Sequence, residues 1–323
     1  MFGLFVDFKR AFDSVPHVLL WNKLFKAGIS PKIFRILKIL YDQAICQIRS
    51  GGMLSEKFEV TEGVLQGEIL SPLLFILYLY DIVKYFREKK AKSIQINSNY
   101  DMIMLLYADD LVILSDSILN LRKNVNILEE YCGTHKLNIN FSKTKIVHFK
   151  RGDPNEKTKI YCGNNLIEWT NEYEYLGVPI TGSALGLSAA NAACRKARLA
   201  TGAALSSLAG LKARSWDGML KIYKSCVQSS LLYAAPVWGL RYLEKLKQTH
   251  LMFFKRLLAL TYGTPSAELR IELNLANSKL EVLKLSLNLV YQGPNEKSQS
   301  SLRRQSETWH EFKTFGVLVE RSH

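Results

Sequence analysis

At 323 residues, 48% of them hydrophobic and 22% charged, the chain can build two compact units with cores of their own and is too apolar for a disordered tail. Its net charge of +14 is uneven: residues 1–110 hold 14 basic and 12 acidic side chains, 111–180 hold 9 and 8, and 181–323 hold 20 and 9. The longest apolar run, Ile69 to Tyr80, is interrupted by Ser71 and Pro72 and is too short to span a bilayer. The first residues also lack the layout of a signal peptide, so an intracellular setting, nucleus or cytoplasm, without a membrane partner is expected.

In chain order, "FGLFVDF" reads as a short apolar strand ending in Asp7, followed by helical stretches "VLLWNKLFKAG" and "PKIFRILKILYDQ" separated by Gly28 and Pro31. "ICQIRSGGMLSEKFEVTEGV" alternates around Gly51 and Gly52 as a hairpin does. A helix is predicted from Ser71 through "PLLFILYLYDIVKYFREKK", with Ser71 as N-cap and Pro72 at the first helical position. "MIMLLYA" and "LVILS" then form two strands, and a helix from Ile118 to Cys132 ends at Gly133. "LNIN" and "KIVHFKR" read as strands, and 160–180 as a small β unit around an Asn-Asn turn. After Gly186 the pattern becomes helical over about 187–212, 216–234, 241–260 and 265–290. The expectation is an α+β architecture, with helices on one face of an antiparallel sheet over 1–183, followed by a basic, mostly helical unit over 184–290 and a flexible tail over 291–323. The basic unit carries the electrostatic footprint of a polyanion partner, most simply nucleic acid.

The five cysteines (Cys46, Cys132, Cys162, Cys194, Cys226) and the six histidines are scattered, without the paired spacing of a zinc site. The chemistry concentrates elsewhere. Asp109 and Asp110 interrupt two apolar runs in "LLYADDLVILSDS". On one continuous strand an acid of this pair would enter the core built by Met104, Leu106, Leu111 and Ile113, whereas at a hairpin tip both can face outward. A tip of this kind is either a solvated turn or half of a metal site. Asp7 also ends an apolar strand, and two such strands side by side would bring Asp7, Asp109 and Asp110 to one rim. Three carboxylates at one rim repel each other unless a cation is present, and hard divalent ions such as Mg²⁺ take oxygen ligands shared with substrate phosphates. Two such ions can clamp an in-line displacement, the chemistry of nucleotidyl transfer.

In this order "FVDFKRAFD", "GVLQGEILSPLLF", "YADD", "LNINFSKTK" and "YLG" resemble the palm motifs of reverse transcriptases, with intervening segments like those of LINE-type, non-LTR retrotransposons. "LLYAAPVWG" and "HLMFFKRLLALTYGTPSAELRIEL" resemble the thumb region of that group, so the resemblance covers roughly residues 2–290. It implies an RNA-directed DNA polymerase that adds dNTPs to a DNA primer on an RNA template with two Mg²⁺ ions, Mn²⁺ being an alternative. Asp7, Asp109 and Asp110 would be the metal ligands. Lys143 would protonate the pyrophosphate, with Lys145 as its rival. Phe8, Ala11, Phe12, Gln66 and Gly67 would line the nucleotide site, Phe12 as the gate against a 2′-hydroxyl. Tyr107, Tyr175, Leu176 and Gly177 would contact the primer strand. Arg195, Lys196, Arg198, Lys212 and Arg214 would track the duplex backbone. Tyr233 and Trp238 are expected in the core.

Only six residues precede Asp7, whereas the family's fingers, with the basic residues that hold the triphosphate, come before that motif; little activity is expected from this chain alone. Other readings are a noncatalytic nucleic-acid-binding remnant of a retroelement and a group II intron-type enzyme, which would continue into a maturase-like region. A related RNA polymerase would carry Gly before the Asp pair.

Overall fold

The computed structural model describes residues 1–65, 67–97, 100–150, 158–182, 186–212, 215–275, 277–292 and 320–321. The chain divides into two compact units, Met1–Asn171 with Gln305–His323, and Glu172–Arg304.

The first unit is built on a six-stranded sheet in the order 160–162, 165–170, 145–148, 2–6, 110–115, 104–107. The Phe2–Val6 strand lies at its centre, antiparallel to both Lys145–His148 and Asp110–Ser115. Its register sets Leu4 against Ile113 and Val6 against Leu111 on one side, and Leu4 against Ile146 on the other. Alternation then sends Phe2, Leu4, Val6, Leu111 and Ile113 to one face, where they join Met104 and Leu106 in a single core. Each fully buried Leu or Ile there contributes about 1.5–3 kcal/mol.

That face is covered by the helix Ile118–Thr134, capped by Ser117, whose Oγ accepts the Asn120 amide. Its buried residues Leu121, Val125, Leu128, Tyr131 and Cys132 recur at the three-to-four spacing of a helix with one apolar face. The helix runs through Gly133 and ends later than the glycine suggested, with His135 at its C-cap.

The α+β class holds, with four corrections. Lys145–His148 and Asn165–Thr170 pair in parallel, so the sheet is mixed. The long helix expected from Ser71 is two helices, Ser71–Tyr78 and Ile82–Glu88. At the break, Asp81 accepts hydrogen bonds from the buried Lys23 ammonium and from the Tyr131 hydroxyl at 2.8 Å, fixing the chain between the two pieces. Ser71 is a helical residue and not a cap: Leu70 holds the N-cap position, and the buried Ser71 hydroxyl donates to the Leu65 carbonyl. "LNIN" contributes one isolated bridge, Phe8 to Ile139, in place of a strand.

The β unit expected over 160–180 is split between the two units. Ile160–Cys162 and Asn165–Thr170 turn at Gly163–Asn164 and extend the central sheet, with Glu129 accepting the Gly163 amide at 2.8 Å. The following hairpin, Glu172–Tyr175 with Val178–Thr181, belongs to the second unit because its returning strand packs on the helix Leu187–Gly210. The division therefore falls at 171/172 and not near 183.

In the second unit, Leu187–Gly210 buries a stripe of small residues, including Ala190, Cys194, Ala197, Thr201 and Ala204. Against this unit's core pack a helical run over 216–231, widened to π geometry at Tyr223–Gln228, and the helices Leu243–Leu257, Ser266–Glu272 and Ser278–Gln292. The flexible tail expected from 291 lies outside the described residues, except that Tyr291 and Gln292 end the last helix and Glu320–Arg321 pair with Tyr100 and Asp101. Among the described residues no helix is long and apolar enough to cross a membrane.

Candidate active site

The face of the central sheet opposite the helical layer carries the acids. Tyr107 pairs with Asp110 across a two-residue turn, Ala108 and Asp109. Ala108 takes a left-handed φ of 51°, a strained conformation for a residue with a Cβ. Val6 pairs with Leu111 in the core register, so alternation turns Asp7, one residue past the strand, and Asp110 to the opposite face together with Tyr107, which is 45% exposed. The hairpin expectation holds: the acids are lifted out of the core that Met104, Leu106, Leu111 and Ile113 fill.

Asp7 is anchored by the segment after Ile139. Its amide donates to the Thr144 hydroxyl at 3.2 Å, and its carbonyl accepts the Asn140 amide at 2.8 Å. Asn140 Nδ2 donates to Asp7 Oδ2 at 2.9 Å, while Lys143 Nζ lies 3.7 Å from Oδ1. Burial first, then the charges of Asp109 and Asp7, hold the Asp110 carboxyl above the usual carboxylate range, with Lys143 opposing them. Lys145, the rival of Lys143, points its charge to Glu168 instead, at 2.5 Å.

A cleft of about 500 Å³ is lined by Asp7, Phe8, Lys9, Arg10, Ala11, Phe12, Asp109, Asn140 and Lys143. Phe8 and Ala11 are only 5% and 4% exposed, so their side chains belong to the core. Phe12 is half-buried and braced by Phe75, with ring centroids 5.1 Å apart, and its carbonyl accepts the Val64 amide at 2.7 Å. Gly67 is exposed at a left-handed φ of 90° with open space around it, so glycine is needed there for conformation. Gln66 and Arg214 lie outside the described residues.

Among the described residues no group of three His, Cys, Asp or Glu side chains is gathered as a ready metal shell. The donor set nevertheless suits a hard divalent cation: the acids are all-oxygen donors, and a cation would offset both the burial and the neighbouring charges that raise Asp110. Lys143 supplies the positive charge beside Asp7.

In the second unit, Tyr175 leads into a two-residue turn in which Leu176 and Gly177 have φ of 49° and 75°, the pattern of a type I′ hairpin. Two side chains hold its carbonyls: the Tyr233 hydroxyl donates to Leu176 O at 2.8 Å, and Lys196 Nζ to Gly177 O at 3.0 Å. Lys196 also lies 3.5 Å from Glu174, so it positions the turn and is not free to follow a nucleic-acid backbone. A cavity of about 440 Å³ opens beside the turn, lined in part by Lys196, Ser229, Tyr233 and Trp238. Trp238 is in the core as expected, whereas Tyr233 is 54% exposed. Arg195, Arg198 and Lys212 are exposed.

The family profile for reverse transcriptase (RNA-dependent DNA polymerase) matches residues 2–180, more than half of the chain. The chain belongs to the reverse transcriptase family. It is 25% identical over 73% of its length to the RNA-directed DNA polymerase from mobile element jockey of Drosophila funebris, and 25% identical over 74% to the probable RNA-directed DNA polymerase from transposon X-element of Drosophila melanogaster. It is also 25% identical over 54% to the retrovirus-related Pol polyprotein from type-2 retrotransposable element R2DM of Drosophila melanogaster. The chain spans 26%, 26% and 17% of those three proteins. Among solved structures, apo telomerase from Candida tropicalis is similar with a TM-score of 0.44 and 14% identity, over 93% of this chain and 51% of that one.

Sequence reasoning missed Asn140 and Thr144, which fix Asp7, and Tyr233, which fixes the Leu176 turn. All three stood inside the motifs that carry the resemblance. The available signal was a polar type close to an acid or a left-handed turn, whose partner only the fold reveals.

Proposed function

We propose that this chain carries the polymerase site of an RNA-directed DNA polymerase from a LINE-type, non-LTR retrotransposon, extending a DNA primer on an RNA template inside the cell, in nucleus or cytoplasm. The observation that carries the reading is the convergence of Asp7 and Asp110 on one face of adjacent strands, with Lys143 3.7 Å from Asp7, in a chain of this family. Asp7, Asp109 and Asp110 would hold two divalent cations, Mg²⁺ or Mn²⁺, which would supply activation of the primer 3′-hydroxyl and neutralisation of the phosphates of the incoming dNTP. Lys143 donates a proton to the departing pyrophosphate, a contribution of about 10²–10⁴ in rate.

Phe12, backed by Phe75, excludes a ribose 2′-hydroxyl, and Gly67 lies along the nascent base pair. Tyr107 sits beside the primer end. The turn at Tyr175, Leu176 and Gly177 grips the primer strand, and Arg195, Arg198 and Lys212 follow the duplex.

Primer extension on poly(rA)/oligo(dT) tests the proposal. The expected outcome is weak dTTP incorporation that requires Mg²⁺ and falls to background in Asp109→Asn, as the loss of a group that acts in the transition state demands. Incorporation that survives the substitution overturns the assignment of Asp109. Salt-sensitive duplex binding that survives loss of all three acids, with no metal-dependent synthesis, identifies a noncatalytic binder instead.

A further inference from the structure

The two oxygens of Asp7 face different partners. Oδ2 accepts from Asn140 Nδ2 at 2.9 Å, and that amide cannot turn over freely, because the Ser142 hydroxyl donates to Asn140 Oδ1 at 2.7 Å and fixes which end of the amide faces Asp7. The backbone repeats the connection, with the Asn140 amide on the Asp7 carbonyl and the Asp7 amide on Thr144. Oδ1 is different. Its neighbour is the Lys143 ammonium at 3.7 Å, beyond a direct hydrogen bond, on a side chain that is 67% exposed. One oxygen is held by a short, half-buried, neutral side chain, and the other by a long, solvated cation.

We infer that Asn140 is a positioning residue that locks Asp7 through Oδ2 and leaves Oδ1 as its exchangeable ligand atom, with Lys143 as the cation that leaves this atom when a divalent ion binds. The inference rests on the polymerase reading only in placing a divalent ion at Asp7. Two residues three positions apart therefore act on the same carboxylate in opposite senses. Asn140 prepares it for the ion, and Lys143 competes with the ion for it. The displaced Lys143 is then free within the cleft that it lines.

Mn²⁺ titration of the full chain, read by the loss of the free-ion EPR signal, separates the two roles without requiring synthesis. Asn140→Leu is expected to weaken Mn²⁺ binding about tenfold, the scale of losing a partner that orients a metal ligand. Lys143→Met is expected to tighten it by a factor of about three, because a competing positive charge is removed at a solvated site. The unfolding midpoints of both variants, measured in the absence of metal, identify any loss of fold; if Asn140→Leu does not fold, Ser142→Ala, which frees the amide, carries the test with an expected weakening of about threefold.

Lys143 acetylation by a water-soluble reagent should also accelerate when Mn²⁺ is added to the wild type. Unchanged Mn²⁺ affinity in the folded Asn140 or Ser142 variant, or weaker affinity in Lys143→Met, overturns the inference and leaves the polymerase reading intact. A wild-type chain that binds no Mn²⁺ overturns both. Mn²⁺ binding with the two opposed shifts upholds the inference whether or not primers are extended, so its outcome and that of the polymerase reading are decided separately.

Discussion

Asp110 shows what the site costs the fold. Its carboxyl is held above the ordinary range by burial, then by Asp109 and Asp7, so the folded chain binds a proton there more readily than the unfolded chain does. The ionised side chain is therefore destabilising at neutral pH, and this cost fades as pH falls through the raised value toward the unfolded value near 3.8. Asp110→Asn is expected to raise the thermal unfolding midpoint at pH 7 in metal-free buffer, and the gap to wild type should shrink as the pH approaches 4. A midpoint that falls on substitution would show that the carboxylate is net stabilising and that its neighbours do not repel it. The same residue-scale conflict appears in the backbone at Ala108, whose left-handed φ holds the turn between Tyr107 and Asp110. Strain of this kind persists where the surrounding structure fixes it, and here two paired strands do so.

At the scale of elements, the helix Leu243–Leu257 carries a pH sensitivity of its own. His250 is buried on it beside Phe254, shares a hydrogen bond with Tyr223, and has no partner for Nε2 among the described residues. Burial, with a smaller contribution from the positive charge of Arg270, pushes its pKa down to about 4. The unfolded chain, titrating near 6.5, then binds more protons than the folded one over the interval between. Stability is lost as pH falls from about 6.5 toward about 4, by up to about 3 kcal/mol. His250→Gln keeps an acceptor for Tyr223 and does not titrate, so its urea midpoint should vary less than that of wild type between pH 7 and 4.5. Equal acid sensitivity in the two proteins would place the loss elsewhere.

Elements also show what the sequence could and could not disclose. The acids were legible because strand alternation leaves an Asp-Asp pair no tolerable place except a hairpin tip. The helix ends were less so. Ser71 has the type and the following proline of an N-cap, yet its hydroxyl found the Leu65 carbonyl, and the break before Ile82 depends on Lys23 and Tyr131, 58 and 50 residues from Asp81. Asn140 acquires its role from a partner 133 residues away. Local pattern cannot choose which of two neighbouring layers a hairpin joins, and so the strands at 165–170 and 172–175 parted company at Asn171.

For the whole molecule, charge is divided between the two ends of the chain, with 20 basic and 9 acidic residues after position 180. Arg195 and Arg198 are exposed on the helix whose opposite side buries the alanine stripe. If both neutralise phosphates, replacing them with Gln should reduce the slope of log Kobs against log salt for RNA-DNA duplex binding by roughly 1.4–1.8, about 0.7–0.9 for each phosphate left without its arginine. Filter binding between 50 and 200 mM salt would measure it, and an unchanged slope would remove these two residues from the interface. Lys196 is excluded from this pair because it serves the Gly177 carbonyl and Glu174.

The central position of the Phe2–Val6 strand has a consequence for synthesis on the ribosome. Both of its neighbours come much later in the chain, Asp110–Ser115 on one side and Lys145–His148 on the other. At about 5–20 residues per second, the interval between translating the first strand and its last partner is roughly 7–30 s. Until then an apolar strand waits with at least one edge unpaired, a period of exposure that favours chaperone capture or aggregation. The segment that ends the wait brings Asn140, Lys143 and Thr144 with it. The nascent chain thus completes the acidic site in the same late step that closes its sheet.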